Sequence, residues 1–208
     1  MAGDAWQLLA LFRGLLERAE RLSEEYWVPR IDWEDGLALA TAVFLVARQR
    51  GGGLFVDAGA GVGYSTLWML YGLAPACEGE GGCRLVAVEN DPGRAAALRR
   101  MLGEASSRLR ASGFTGVEVE AVEGDALEYL ESLGRGEPLG VIVDIEKQGY
   151  LPALRLLEDR LPSGGLAAFH NALGPMPLPP GFREAVEEGP WRRLVLPTGQ
   201  GLLLLVHD

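Results

Sequence analysis

Short apolar runs alternating with segments of helical period constrain this chain more than any other feature of its sequence. GLFVDAG (53–59), RLVAVEN (84–90), VEVEAVEG (117–124), LGVIVDI (139–145) and GLAAFH (165–170) are predicted strands. Helical stretches near 64–73, 92–112, 126–133 and 150–161 separate them. Continuous apolar strands spaced by helices imply parallel strands covered on both faces. A proline-rich passage, GPMPLPPG (174–181), leads to a short helix, and then WRRLVLP and GQGLLLLVHD, meeting at Thr198, predict a closing antiparallel pair. Upstream, Leu8, Leu9, Phe12, Leu15, Leu16, Ala19 and Leu22 have helical spacing behind Asp4, so a helix is expected over 4–26. WVPRID breaks it, and a second helix is expected from about Trp33 to Arg50. The expected fold is α/β: one domain over 1–208, with an N-terminal helical extension (1–50) on a doubly wound, mostly parallel sheet (51–208) that ends in an antiparallel strand pair.

Composition narrows the setting. The chain has 208 residues, 48% hydrophobic and 23% charged, an ordinary globular mixture with enough length for a sizeable core. Its longest apolar stretches, 37–47 and 201–206, are too short to span a bilayer. The N-terminus has no basic n-region, so a soluble, cytoplasmic protein without a membrane partner is expected. A net charge of −10 disfavours a broad nucleic-acid footprint. Cys77 and Cys83 flank EGEGG, with no further Cys or His pair to complete a zinc site. Their spacing permits a loop disulfide, but because cytosolic disulfides are uncommon, two reduced surface thiols are expected.

Ligands of open α/β sheets bind beyond the carboxyl ends of the strands. Here those ends carry Asp57, Glu89, Asp125, Asp144, and His170 with Asn171. The first strand runs into VDAGAGVGYST (56–66), a glycine turn and helix start with Gly59, Gly61 and Gly63. A carboxylate just before the turn would repel a pyrophosphate and suits a cationic ligand, such as the ammonium and sulfonium of S-adenosylmethionine. Glu89 is either a solvated strand end or an acceptor for ribose hydroxyls, since Asp91 and Pro92 can start the next helix without it. Asp125 is either a helix cap or a partner for an adenine amino group.

These motifs bring a family into view. From about residue 28 to the C-terminus the chain resembles the class I S-adenosylmethionine-dependent O-methyltransferases, within them the caffeoyl-CoA and catechol group. The resemblance rests on VDAGAGVGYST, AVENDPGRAAALRRML, VDIEKQGYLPAL, LPSGGLAAFHNAL and LPTGQGLLLLVHD. It implies a Rossmann-like methyltransferase fold, methyl transfer to a hydroxyl of a small, catechol-like acceptor, and a homodimer. It also implies a cofactor site formed by Asp57, Gly59, Gly61, Gly63, Tyr64, Ser65, Glu89, Asn90, Gly124, Asp125, Ala126 and Asp144. In the family, the counterpart of Asp144 binds a divalent metal and the lysine three residues on acts on the substrate hydroxyl. An Asp-Asn pair completes the metal shell.

This chain departs from that pattern in one place, having His170-Asn171 instead. It holds a single lysine, Lys147, against 18 arginines, two histidines and two asparagines, so the rare residues gather at one place. Asp144, Lys147 and His170 are the expected catalytic residues, and Asp144, His170 and Asn171 the expected metal ligands. Imidazole in place of a carboxylate weakens the preference for magnesium and favours a transition metal. In a metal-free version His170 is a general base, and in a purely structural one it is a hydrogen-bonded strand end. Ser65 is a candidate for the methionine carboxylate, and Trp33 and Tyr150 for an aromatic pocket or simple packing. Pro175, Pro177, Pro179 and Pro180 stiffen a possible lid. Two other functions compete. One is methylation of hydroxylated uridine in tRNA, using Arg94, Arg99, Arg100, Arg108 and Arg110; the other is cofactor binding without catalysis.

Overall fold

The computed structural model describes residues 4–78 and 81–208. Its seven strands are β1 (Gly53–Ala58), β2 (Cys83–Glu89), β3 (Val117–Glu123), β4 (Pro138–Val143), β5 (Leu166–Phe169), β6 (Trp191–Leu196) and β7 (Leu202–His207). They form one sheet in the order β3-β2-β1-β4-β5-β7-β6. β1 to β5 run parallel, while β7 is antiparallel to both β5 and β6. This is the Rossmann-like methyltransferase architecture, with the closing antiparallel pair where the sequence predicts it. Strand order reverses between β1 and β4, which opens a ligand crevice at their carboxyl ends.

The helices are α1 (Ala5–Glu25), α2 (Trp33–Arg50), α3 (Tyr64–Ala76), α4 (Pro92–Ala111), α5 (Ala126–Ser132), α6 (Tyr150–Arg160) and α7 (Phe182–Glu188). Asp4 caps α1 by accepting from Trp6 N–H at 2.8 Å, and Asp91 caps α4 by accepting from Arg94 N–H at 2.8 Å. Both caps satisfy amides that the first helical turn leaves without partners. The predicted 64–73 helix continues through Pro75 to Ala76, since Leu73, Ala74 and Ala76 pack into the core and retain the last turn.

Each sheet face has its own core. On one, Leu8, Phe12, Leu15 and Ala19 of α1 and Leu39 and Val43 of α2 close over the almost wholly buried α3. On the other, Tyr150, Phe169 and Phe182 form a three-ring cluster with centroids 5.1–5.8 Å apart, an edge-tilted packing that aromatic rings prefer. Trp68 belongs to the first core, edge-on to Trp33 at 4.7 Å.

One expectation is overturned. Cys77 and Cys83 are joined in a disulfide with their Cα atoms 5.7 Å apart, and neither is a surface thiol. Cys77 ends α3 and Cys83 opens β2, and both side chains are buried in the core beneath the connecting turn. Gly79 and Glu80 of that turn lie outside the described residues.

Candidate active site

The glycine loop is built by backbone demands. Gly59 has φ 95° and its missing Cβ would lie 2.2 Å from the carbonyl oxygen of Asp144, so only glycine lets β1 and β4 close at the crevice. Gly59 and Ala60 both donate to Val88 O at 3.0 Å, and Asp144 N–H donates to Ala58 O at 2.9 Å. The loop is thereby fastened to both neighbours of β1.

Asp57 is fully buried. Its Oδ2 accepts from Ser65 Oγ at 2.7 Å and Thr66 Oγ1 at 2.5 Å, and its Oδ1 has no hydrogen-bond partner. Burial pushes its pKa up to about 6 from 3.8, against the pull of the two hydroxyls. Ser65 Oγ, the candidate for a methionine carboxylate, donates its proton to Asp57 and lines the glycine-loop cleft. Glu89 is buried, not solvated: one oxygen accepts from Gly61 N–H at 2.9 Å and the other from Asp91 N–H at 3.0 Å. It therefore spans the glycine loop and the start of α4. Asp125 caps α5, accepting from Leu127 and Glu128 amides at 2.8 and 3.0 Å. Gly124 donates to Glu89 O at 3.0 Å, Asn90 is exposed and Ala126 is buried. Between the loop and the 28–31 linker lies a narrow cleft, lined by Gly59, Gly61, Tyr64, Ser65, Arg30 and Asp144 among others.

The β4 and β5 ends meet differently. His170 is buried, with Nδ1 3.3 Å from Asp144 Oδ2 and Nε2 3.3 Å from Asp35 Oδ2. Neither contact is an aligned hydrogen bond, so both ring nitrogens and Asp35 Oδ2 lack a formed partner. Burial lowers the imidazole pKa, but Asp144 and Asp35 together outweigh it and raise it to about 9 from 6.5. Asn171 follows with φ 57°, and its Oδ1 is buried without a partner. Lys147 is half-buried, and its Nζ donates to the carbonyls of Asn171 at 3.0 Å and His170 at 3.3 Å. Its Nζ sits 4.0 Å from the centroid of the Tyr150 ring. Desolvation lowers its pKa and Asp144 opposes this. Tyr150 is packed in the core with its hydroxyl donating to His170 O at 2.7 Å, so it lines no open pocket.

Among the described residues no three His, Cys, Asp or Glu side chains converge as a metal site. A divalent ion at this place would have to take its third ligand from the amide of Asn171. The donor set fits that role: Asp144 Oδ2 and His170 Nδ1 are spaced like adjacent ligands, and Asn171 Oδ1 is a buried acceptor without a donor. Buried acceptors without donors are uncommon in folded proteins. Asp35 is the residue that sequence reasoning missed. It reads as an ordinary first-turn acid, a favourable position on any helix, and only the fold brings it to His170.

A mostly parallel sheet with its glycine loop at the switch point, beside a cluster of carboxylates, imidazole and amine, defines a methyltransferase-type α/β protein. The chain belongs to the methyltransferase domain family, which matches residues 56–172. No curated protein matches it in sequence. Among solved structures, a methyltransferase from Geobacter sulfurreducens is similar at 22% identity and TM-score 0.71, covering 93% of this chain and 88% of that one. The O-methyltransferase of Bacillus cereus in complex with S-adenosylhomocysteine aligns at 19% identity and TM-score 0.70, covering 94% and 91%. The O-methyltransferase TomG of Streptomyces achromogenes, involved in tomaymycin synthesis and bound to S-adenosylmethionine, aligns at 22% identity and TM-score 0.68, covering 93% and 89%. At these identities the likeness is one of fold. No helix among the described residues is long and apolar enough to cross a membrane.

Proposed function

We propose that this protein is an S-adenosylmethionine-dependent O-methyltransferase acting on a small, catechol-like hydroxylated acceptor with the help of a divalent ion. One observation carries the reading: Asp144 lines the glycine-loop cleft and also touches His170. Methyl donor and acceptor oxygen can therefore meet across a single carboxylate. A divalent ion held by Asp144, His170 and Asn171 would supply Lewis acidity that lowers the pKa of an acceptor hydroxyl.

Lys147 is the proton acceptor in this reading. A neutral amine keeps two N–H donors, which match the carbonyls of His170 and Asn171 and leave its lone pair for the acceptor hydroxyl. Desolvation favours that neutral form. An arginine would stay charged and could not do this, which accounts for the solitary lysine. The cofactor ammonium and sulfonium lie where Asp57, Glu89 and Asp144 concentrate negative charge. The exposed stripe of Trp33, Leu37 and Phe44 on α2 supports pairing of two copies. The α4 arginines support tRNA binding poorly, because Arg99 and Arg108 are paired with Glu123 and Glu104.

The test is transfer from labelled S-adenosylmethionine to a catechol panel with magnesium, manganese, cobalt, zinc or chelator. Metal-stimulated transfer is expected. Tight cofactor binding with no transfer under any condition would overturn the reading.

A further inference from the structure

Asp35 has the most specific surroundings of any side chain not yet given a role. It stands in the first turn of α2 and is fully buried. Its Oδ1 accepts from Thr198 Oγ1 at 2.6 Å, and that hydroxyl oxygen in turn accepts from Gly201 N–H at 3.1 Å. The carboxylate is thus fastened on one side to the β6–β7 turn. Its other oxygen has no aligned donor and lies 3.3 Å from His170 Nε2. A buried carboxylate left half-satisfied is costly unless a positive group completes it. The group beside that oxygen is His170, since the amine of Lys147 is bound to two backbone carbonyls.

An imidazole that binds a metal through one nitrogen carries its proton on the other, and a carboxylate accepting that proton fixes the ring and strengthens the ligating nitrogen. The geometry points to Asp35 as the positioning residue that makes His170 a ligand. It holds the Nε2 proton, presents Nδ1 beside Asp144, and thereby selects a first-row transition ion over magnesium. This rests on the metal-assisted reading above. Nε2 already lies 3.3 Å from Asp35 Oδ2, and the Thr198 anchor holds that carboxylate in place.

The test uses full-length, chelator-treated protein titrated with manganese(II) alone, with free ion followed by electron paramagnetic resonance. Pulsed measurements then look for coupling to an imidazole nitrogen. Wild type is expected to bind manganese with that coupling, and Asp35→Asn to bind about 10–100-fold more weakly. Thr198→Val, which keeps the charge and loosens its anchor, is expected to lose several-fold and serves if Asp35→Asn does not fold. Cofactor affinity by calorimetry should be unchanged in both, which a general loss of structure would not allow. Unaltered manganese affinity in folded variants of both kinds would overturn the role of Asp35 alone. Absence of manganese binding to wild type would overturn the metal-assisted reading with it. Magnesium displacing manganese at comparable concentration would overturn the selectivity.

Discussion

The two halves of the crevice are finished to different degrees. At the ends of β1 to β3 the carboxylates are largely satisfied within the chain: Glu89 by two amides, Asp125 by two amides, and one oxygen of Asp57 by two hydroxyls. At the ends of β4 and β5, both nitrogens of His170, Oδ2 of Asp35 and Oδ1 of Asn171 lack hydrogen bonds. Buried polar groups are costly when left unpaired. The first half is therefore closed on itself but for Asp57 Oδ1, while the second keeps four buried polar atoms open. Binding and chemistry should accordingly separate by mutation.

The largest separation is expected at Lys147. Removing a proton acceptor typically costs 10²–10⁴-fold in rate, so Lys147→Ala should cut methyl transfer by about 100-fold or more. Calorimetry should find cofactor affinity unaltered, because the amine bonds only to carbonyls of the second half. Equal losses of cofactor binding and turnover would break the comparison.

The next effect concerns pH in chelator-treated protein. His170 has a folded pKa raised to about 9 from 6.5, so its contribution is present below pH 6.5 and is lost as pH rises through about 9. That shift corresponds to about 3 kcal/mol. Chemical denaturation should show His170→Asn lacking this decline between pH 6.5 and 9. Asp57 acts in a lower window: its pKa is raised to about 6 from 3.8, so burying the charged form costs stability as pH climbs between those values. Asp57→Asn should flatten that lower window and leave the upper one intact.

How much of this could be read in the sequence follows from which signals are local. The alternation of strands and helices was legible because β1, β2, β4 and β5 are mainly apolar and β3 alternates valine with glutamate, and the Asp91-Pro92 start of α4 because a cap is a local device. The gathering of Asp57, Glu89, Asp144 and His170 on one edge followed from topology alone. The environments of those residues did not. Glu89 alone reads equally as a solvated strand end or an acceptor for ribose hydroxyls, and only the path of the glycine loop brings Gly61 N–H to it. Asp35 and Thr198 belong to segments far from residue 170 in sequence, so no spacing rule connects them. The cysteines misled because the scarcity of disulfides in the cytosol says nothing of one particular pair, and here the end of α3 and the start of β2 bring the two together in the core.

Glu89 sharpens the comparison from the first half. Glu89→Ala leaves two amides without acceptors, at about 1–3 kcal/mol for a buried group. Cofactor affinity should fall with the loosened loop, while manganese binding should stay as in wild type.

Asp125 gives the smallest effect and the finest distinction. Its side chain bonds to the amides of Leu127 and Glu128, which is what an N-cap does. If capping is its whole role, Asp125→Ala lowers stability by about 1 kcal/mol and leaves cofactor affinity unchanged, and Asp125→Ser recovers most of the loss. An adenine amino group needs the carboxylate itself, so in that case serine restores stability without restoring affinity. Melting curves and calorimetry on the same two variants separate the outcomes. Both cap bonds fall on Oδ1, and recovery of both quantities by serine is the result expected of a cap.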